Sequence, residues 1–313
     1  MTYKIHEDIV IAEINSSKVL LDLVLPETDK PAPVILNIHG GGWCGGDHKA
    51  HRFCDDYITR GWALADIGYR LSRTAPFPAQ IEDCHTAVRF LRANAEKYNL
   101  DPTRIGVFGY SAGGHLAALL GATSGIKKFQ TTGGWDDFSS EVQAVIVANG
   151  PTDIPNVFSM TKSFDNSIKG MMQSSNKFTE EQIQAVSDCG FGDAYRCYKW
   201  LLGDKDPKDA KELCESASVM QYIDKNTPPY YIIQSDADDA VPVGHSLKLY
   251  IAMKESCADV ELKLVPNANH GLCNDIDGNF DFSPVDRMFS FFGEKLKIEG
   301  YDPNAYPPKN NNA

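Results

Sequence analysis

Short runs of β-branched and aliphatic residues alternate with helical apolar patterns along most of this chain. The clearest helical pattern covers residues 81–98, where apolar side chains recur every three or four positions and so form one stripe. From residue 34 onward strand and helix alternate, which predicts parallel strands with helices on both faces of one sheet. The first two strands have no helix between them and predict an antiparallel edge. The predicted fold class is therefore α/β, a mostly parallel doubly wound sheet with an antiparallel N-terminal edge.

Eight strands and four helices carry this prediction. The predicted strands are residues 9–14, 19–24, 34–38, 63–67, 105–108, 142–148, 230–234 and 261–265. The predicted helices are residues 81–98, 112–120, 245–254 and 285–295.

The alternation of strands and helices breaks between about residues 151 and 217, in a segment rich in aromatic side chains and methionine. An insertion of this length is typical of a lid or a binding wall, although its aromatic residues could equally pack on one another as a surface decoration. We predict a single domain over residues 1–300 that carries this cap-like insertion. Residues 301–313, rich in proline and asparagine, predict a disordered tail.

The chain has 42 acidic and 30 basic side chains and a net charge of −12. This balance argues against nucleic acid or an anionic membrane as a partner, because polyanions bind basic surfaces. We find no apolar run of membrane-spanning length and predict no membrane association. Residues 1–14 show no apolar signal core behind a basic start, which leaves two locations open: the cytoplasm, or export with a signal already removed.

Eight cysteines are too sparse for a disulfide scaffold in a chain of 313 residues. The spacing of Cys189 and Cys197 would permit one local bridge in a secreted protein. No histidine accompanies a cysteine at zinc-ligand spacing, and residues 275–281 break the order of a calcium-binding loop. We therefore predict no metal and no cofactor.

A G-x-S-x-G sequence covers residues 109–113 and directly follows the predicted strand 105–108. The motif alone is weak, but its position between a strand and a helix is what a nucleophilic serine requires. A sharp turn lifts the hydroxyl clear of the sheet, and a side chain on either flanking glycine would clash in that turn. The sequence predicts Ser111 as a nucleophile.

Residues 39–43 read His-Gly-Gly-Gly-Trp and follow the predicted strand 34–38. Consecutive glycines allow backbone amides to approach a substrate oxygen closely, as an oxyanion hole requires. We assign the amides of Gly41, Gly42 and Ala112 as its donors. His39 is predicted to orient this loop, and Trp43 either lines the substrate pocket or packs in the core.

A serine nucleophile needs a base, and the base needs an orienting carboxylate. In a fold with this nucleophile motif, both follow late strands in the order serine, acid, histidine. His270 follows the last predicted strand and is the predicted base. Asp238, four residues before Pro242, is the predicted acid; Asp239 and Asp236 on the same loop are alternatives.

These stretches together resemble the α/β-hydrolase esterase superfamily, in particular the group around bifunctional acetylxylan and feruloyl esterases. The matching residues are 39–43, 109–116, Asp238 with 241–242, and 270–271. The resemblance implies the α/β-hydrolase fold and a Ser-His-Asp triad. Tyr110 and His115 stand where the hormone-sensitive-lipase branch usually has aspartate and asparagine, which favours the carbohydrate-ester group. Tyr110 and Trp43 are candidate substrate-binding residues.

The resulting hypothesis is a serine carboxylesterase that hydrolyses short-chain or hydroxycinnamoyl esters on plant cell-wall carbohydrate. Its partner is a small-molecule or polysaccharide-linked ester, and no oligomeric state is predicted. Three alternatives are an arylformamidase-type amide hydrolase, a general small-molecule carboxylesterase, and a non-catalytic binding protein on a hydrolase scaffold.

Overall fold

A computed structural model describes residues 2–155, 194–206, 208–271, 282–298 and 301–302. Within them, eight strands form one sheet in the order β1-β2-β4-β3-β5-β6-β7-β8. Strands β1, β2 and β4 pair antiparallel, and every other neighbouring pair is parallel. This confirms the predicted α/β class and its antiparallel N-terminal edge. The strands are β1 (Tyr3–Ile14), β2 (Ser17–Pro26), β3 (Ala32–Ile38), β4 (Ala63–Gly68), β5 (Leu100–Tyr110), β6 (Ala144–Ala148), β7 (Tyr230–Ser235) and β8 (Val260–Val265).

Helices flank this sheet. Those in the described residues are α1 (Cys54–Thr59), α2 (Ala79–Ala93), α3 (Ala95–Tyr98), α4 (Ala112–Thr123), α5 (Ala194–Leu201), α6 (Lys211–Ala217), α7 (Gly244–Glu255) and α8 (Ser283–Lys295). The single helix predicted over residues 81–98 is wrong at Asn94, where the backbone leaves the helical conformation at φ −110° and ψ 16°. The Asn94 side chain donates to the Phe90 carbonyl at 2.9 Å, so it satisfies a carbonyl at the end of α2.

Both faces of the sheet are buried. Every residue of β3 is buried, as expected of a strand covered by helices on two sides. On one face the apolar core includes Leu91 of α2 and Leu116 of α4. On the other it includes Tyr57 of α1 and Phe289 of α8. Because the central strands are parallel, their carboxyl ends lie along one edge of the sheet.

The predicted insertion lies only partly within the described residues, which include 151–155, 194–206 and 208–217. Most of its aromatic residues fall on 156–193 and lie outside them, as do Cys189 and residues 275–281. The idea that the segment moves as a lid stays a prediction.

The chain is ordered at Tyr301, where the predicted tail begins. The Tyr301 ring packs on Trp62 with centroids 5.6 Å apart, and its amide donates to the Ile298 carbonyl at 3.2 Å. Packing of this partly buried ring therefore holds the chain against the core at the first residue of the expected tail. Residues 303–313 lie outside the described part.

In the parts of the chain described above, no helix is both long enough and apolar enough to cross a bilayer.

Candidate active site

Ser111 occupies the turn between β5 and α4 in a conformation that is unusual for a side-chain-bearing residue. Its φ is 57° and its ψ is −124°. The Ser111 amide donates to the Ala148 carbonyl at 2.8 Å, and its carbonyl accepts from the His115 amide at 3.1 Å. Backbone strain of this kind costs on the order of 1–3 kcal/mol and persists where the surroundings enforce it. The turn is the strand-to-helix elbow that the motif predicts.

The two glycines of the motif stand where no side chain fits. A Cβ on Gly109 would lie 2.0 Å from the Gly113 carbonyl oxygen, and a Cβ on Gly113 would lie 2.0 Å from the carbonyl oxygen of Ile38. Helix α4 therefore packs directly on the backbone of β3 and β5. This close packing presents Ser111 at the carboxyl edge of the sheet.

A continuous hydrogen-bonded chain links the three predicted catalytic residues. His270 Nε2 lies 3.0 Å from Ser111 Oγ, and His270 Nδ1 lies 2.8 Å from Asp238 Oδ2. All three residues are buried, with 4–7% of their surface exposed. With Nδ1 protonated toward the carboxylate, Nε2 presents its lone pair to the serine hydroxyl. The arrangement is able to take a proton from Ser111.

Turn hydrogen bonds distinguish Asp238 from the other aspartates of its loop. Asp238 Oδ1 accepts from the amides of Ala240 and Val241, at 2.9 and 2.8 Å, which leaves Oδ2 directed at His270. Asp236 is exposed and accepts from the Asn267 amide at 2.7 Å. Asp236 thus joins the two late loops, while Asp238 faces the imidazole.

Asn149 and Ser235, which sequence reasoning did not single out, and Tyr110, which it assigned to substrate binding, hold the backbone around His270. Asn149 Nδ2 donates to the His270 carbonyl and to Ser235 Oγ, both at 3.2 Å. Ser235 Oγ in turn donates to the Gly271 carbonyl at 2.9 Å. The Tyr110 hydroxyl also donates to the His270 carbonyl. Asn149 carries a detectable signal, because it is a polar residue placed between a buried apolar strand and a glycine.

The glycine-rich loop after β3 uses backbone conformations that favour glycine. Gly41 has φ 104° and Gly42 has φ 57°, and a Cβ on Gly41 would lie 2.3 Å from the Gly45 carbonyl oxygen. His39 stacks on Tyr69 with ring centroids 4.2 Å apart. Burial lowers the pKa of His39 to about 4, so the imidazole is neutral at pH 7. Its contacts are those of a residue that shapes this loop.

Trp43 is anchored by the helix that follows Ser111. Its indole nitrogen donates to His115 Nδ1 at 3.1 Å, and His115 Nε2 donates to the Ala217 carbonyl, with the two atoms 2.7 Å apart. Burial lowers the pKa of His115 to about 4, which keeps the ring neutral and able to accept. Trp43 therefore connects the glycine-rich loop, α4 and the end of α6.

A small cavity opens beside the serine hydroxyl and measures about 20 Å³. Two larger hollows, of about 440 and 560 Å³, lie near Arg104 and Tyr222 at the other end of the sheet and contain none of the predicted catalytic residues. Position rather than size therefore identifies the relevant cavity. The small cavity is lined by Gly42, Trp43, Ser111, Ala112, Pro151, Cys197, Tyr198, Ala240 and Val241. Trp43 is thus both buried and part of its wall, whereas Tyr110 supports the His270 loop.

Among the described residues, one group of side chains that could ligate a metal ion lies beside strands β1 and β2. Oxygen or nitrogen atoms of Asp8, Asp22 and His48 fall within 4.8 Å of one another. The ammonium of Lys49 lies 3.0 Å from Asp8 and 3.1 Å from Asp22, so it already supplies positive charge there. We interpret the group as an ion-pair network.

Comparison with known proteins identifies the family. The sequence profile of the BD-FAE family matches residues 21–253, which is most of the chain and includes Ser111 and Asp238. The chain belongs to the BD-FAE family. Esterase LipC of Mycobacterium tuberculosis is 27% identical over 77% of this chain and 53% of its own length. The chain spans about half the length of the curated relatives it matches.

Solved structures agree with the family assignment and with the α/β-hydrolase fold. A truncated carbohydrate esterase from gut microbiota is 28% identical with a TM-score of 0.75, over 94% of this chain and 96% of that one. An acetyl ester-xyloside bifunctional hydrolase from Caldicellulosiruptor lactoaceticus is 25% identical with a TM-score of 0.60, over 89% of this chain and 85% of that one. The predicted resemblance to esterases of the α/β-hydrolase superfamily is confirmed.

Proposed function

We propose that this BD-FAE family member is a serine carboxylesterase that releases short acyl groups from esterified carbohydrate. The observation that carries the proposal is the hydrogen-bonded chain from Ser111 Oγ through His270 to Asp238. Nucleophilic acyl transfer requires this order of nucleophile, base and orienting carboxylate. The names of the relatives, which include esterases and a carbohydrate esterase, support the same class of reaction.

Acylation is the first half of the proposed reaction. Ser111 Oγ attacks the ester carbonyl carbon while His270 Nε2 takes the hydroxyl proton, and Asp238 stabilises the imidazolium that forms. The amides of Gly41, Gly42 and Ala112 donate to the developing oxyanion. Each such donor typically contributes about 3 kcal/mol to lowering the barrier. His270 then protonates the leaving alcohol, and the acyl group stays on Ser111.

Deacylation repeats the sequence with water as the nucleophile. His270 takes a proton from water, which attacks the acyl carbonyl, and the second tetrahedral intermediate uses the same amides. Ser111 leaves with the proton from His270, and the carboxylic acid is released. One ester and one water thus give one acid and one alcohol, and the enzyme returns to its starting protonation state.

The cavity favours a short acyl group over a hydroxycinnamoyl group. Its volume of about 20 Å³ is roughly the room of a single water molecule. The bulky, buried rings of Trp43 and Tyr198 form part of its wall. The methyl of an acetyl group requires little more space than this, whereas an aromatic acyl group requires a much larger cavity than the one that these described residues line beside Ser111. We therefore propose acetyl esters as the preferred substrates.

A panel of esters tests the proposal. We expect kcat/KM for p-nitrophenyl acetate to exceed that for p-nitrophenyl octanoate and methyl ferulate by at least about tenfold. Acetate release from acetylated xylan should exceed release from an equal acetyl concentration of ethyl acetate. Equal rates on these two would remove support for carbohydrate, and efficient turnover of N-formylkynurenine alone would favour the arylformamidase alternative.

Two serine variants provide the matched comparison. Ser111→Ala should abolish turnover of every ester in the panel. Ser72 is also buried, and its hydroxyl has no hydrogen-bond partner within the described residues, so Ser72→Ala should retain activity. Wild-type rates in Ser111→Ala would rule out this residue as the nucleophile.

A further inference from the structure

Two cysteine side chains meet at the wall of the cavity beside Ser111. Cys44 follows Trp43 in the glycine-rich loop, and Cys197 lies on α5, 153 positions further along the chain. Their sulfur atoms are 3.5 Å apart. Cys197 lines the cavity together with Ser111 and Ala112. The pair therefore links the proposed oxyanion loop to α5, which contributes Cys197 and Tyr198 to the cavity wall beside Ser111.

The two thiols differ in a way that suits stepwise oxidation. Cys44 is half-buried, whereas Cys197 is only 1% exposed. The hydrogen bond with Cys197 lowers the pKa of the Cys44 thiol against the opposing effect of burial, and the positive charge of Arg73 lowers it further. A thiolate reacts with oxidants, and its neighbour then resolves the product. Cys44 has the exposure of the first thiol and Cys197 the position of the second.

We propose that Cys44 and Cys197 are an oxidation site, whose disulfide links α5 to the glycine-rich loop and slows ester hydrolysis. With a hydroperoxide as oxidant, the Cys44 thiolate attacks one oxygen, the O–O bond breaks, and a sulfenic acid forms. The Cys197 sulfur then attacks the Cys44 sulfur, the S–O bond breaks, and water leaves with the Cys197 proton. With hydrogen peroxide, two thiols and one peroxide give one disulfide and two waters.

The bond would move the backbone next to the serine. The sulfurs must approach from 3.5 Å to about 2.05 Å. The Cys44 thiol donates to the Gly41 carbonyl at 3.6 Å and would lose that hydrogen on oxidation. Gly42 lies close to Cys197, because a Cβ on Gly42 would lie 2.9 Å from Cys197 Sγ. Shortening of the sulfur–sulfur distance should therefore shift the backbone of Gly41 and Gly42, whose amides are the proposed oxyanion donors.

Peptide mapping tests whether the bond forms. The fully reduced protein is treated with hydrogen peroxide, alkylated, and digested without reductant for mass spectrometry. We expect a linked pair of peptides containing Cys44 and Cys197, and an intact mass lower by two hydrogens. A product that joins Cys197 to Cys189 instead, or no cross-linked product, would overturn the proposal.

Hydrolysis of p-nitrophenyl acetate tests whether the disulfide slows catalysis. This effect rests on the proposed function, whereas formation of the disulfide does not. Wild type should lose at least about tenfold in kcat, because displacing one oxyanion donor costs part of the roughly 10²–10³-fold that its removal costs, and dithiothreitol should restore the activity. Cys44→Ser and Cys197→Ser, each compared with its own reduced activity, should resist the oxidant. The exposed Cys257 offers a control, and Cys257→Ser should respond like wild type.

The outcomes separate the two proposals. Loss of activity that persists in Cys44→Ser would contradict the oxidation site. A Cys44–Cys197 bond that leaves kcat unchanged would contradict the proposed effect of the bond on ester hydrolysis. If the reduced wild type hydrolyses no ester at all, the proposed function fails, while the peptide map still decides whether the disulfide forms. Thermal unfolding of each reduced variant shows that the substitution has left the fold intact.

Discussion

The aspartates of the loop that follows β7 have the same side chain but different roles. Asp238 uses one carboxylate oxygen to close its own turn on Ala240 and Val241, and the other to hold His270. Gln234 Nε2 lies 3.5 Å from the same oxygen that faces His270. An orienting acid has to be fixed on both sides in this way, because imidazole tautomer and direction depend on it.

Replacing each carboxylate in turn with an amide distinguishes the catalytic role of Asp238 from that of Asp239. In Asp238→Asn an amide faces His270 Nδ1 and favours the tautomer that cannot accept from Ser111. We expect kcat to fall about 10³–10⁴-fold, with Asp239→Asn as the matched control within a few-fold of wild type. Steady-state kinetics on p-nitrophenyl acetate gives both values. A larger loss in Asp239→Asn would reassign the acid.

Individual site residues were predictable where a motif fixes the backbone, and less so where distant contacts fix a side chain. The motif places Ser111 on its elbow without any tertiary information. The sequence predicts Asp238 as the acid but keeps Asp236 and Asp239 as alternatives, because the distinction among them depends on turn hydrogen bonds. Trp43 was left open between pocket and core, since its direction depends on His115, which lies 72 positions away.

Packing between elements depends on Gly113, where α4 contacts the backbone of β3. Gly113→Ala would place a methyl 2.0 Å from the Ile38 carbonyl oxygen, and backbone on both sides cannot yield locally. We expect a loss of at least about 1–3 kcal/mol in the free energy of unfolding, measured by urea denaturation. Gly125→Ala is the control, because nothing lies within 4 Å of its Cβ position. Equal stability of both variants would contradict the proposed close packing.

The indole of Trp43 joins the glycine-rich loop to α4. Trp43→Phe removes the donor to His115 Nδ1 and leaves a buried acceptor unsatisfied, so we expect a loss of about 1–3 kcal/mol in unfolding free energy. Trp135 makes a similar bond, to the Ile11 carbonyl at 2.9 Å, but is 38% exposed. In Trp135→Phe water can hydrogen-bond the Ile11 carbonyl instead, so this variant should lose less unfolding free energy than Trp43→Phe. The reverse order of the two losses would refute the role given to Trp43.

Helices and strands were predictable to the extent that their apolar patterns are long and regular. Each of the eight predicted strands overlaps an observed one. The break at Asn94 escaped prediction because the apolar spacing continues through it into α3. Helix α1 also escaped, since its six residues are too few to show a helical period.

For the molecule as a whole, buried histidines determine how stability responds to acid. Burial lowers the pKa of His39, His115 and His245 to about 4 and that of His85 to about 3, from an ordinary value of 6.5. Above pH 6.5 these rings are neutral in both states. Below it the unfolded chain binds protons that the folded chain does not, so stability falls as the pH drops toward 4. Asp66 has the opposite effect, because burial raises its pKa to about 7. The folded chain therefore binds one proton there that the unfolded chain releases, and this partly offsets the loss of stability.

We therefore expect the urea midpoint to decrease from pH 7 to pH 4.5. Each proton taken up only by the unfolded chain contributes about 1.4 kcal/mol per pH unit. His85 bonds Ser140 and Thr123, away from Ser111, so His85→Gln should reduce the slope by about one proton without changing the pH dependence of hydrolysis. A midpoint independent of pH over this range would contradict the prediction.

The charge of the chain argues against nucleic acid or an anionic membrane as a partner, but neither size nor charge identifies a reaction. The net charge of −12 disfavours polyanions and still permits a neutral ester. The parallel sheet was predictable because strand and helix alternate, and the sheet brings the loops after β3, β5, β7 and β8 to one edge. The glycines, Ser111 and His270 on those loops give that edge its proposed chemistry.

Labelling by diethyl p-nitrophenyl phosphate tests the nucleophile most directly, because this ester phosphorylates an activated serine and is not turned over quickly. Peptide mapping locates the label while residual hydrolysis of p-nitrophenyl acetate is followed in the same samples. We predict one phosphoryl group per chain, on Ser111, with a labelled fraction equal to the fraction of activity lost, and no label in Ser111→Ala. Full labelling of Ser111 with activity intact, or inactivation with the label on another residue, would contradict the central proposal.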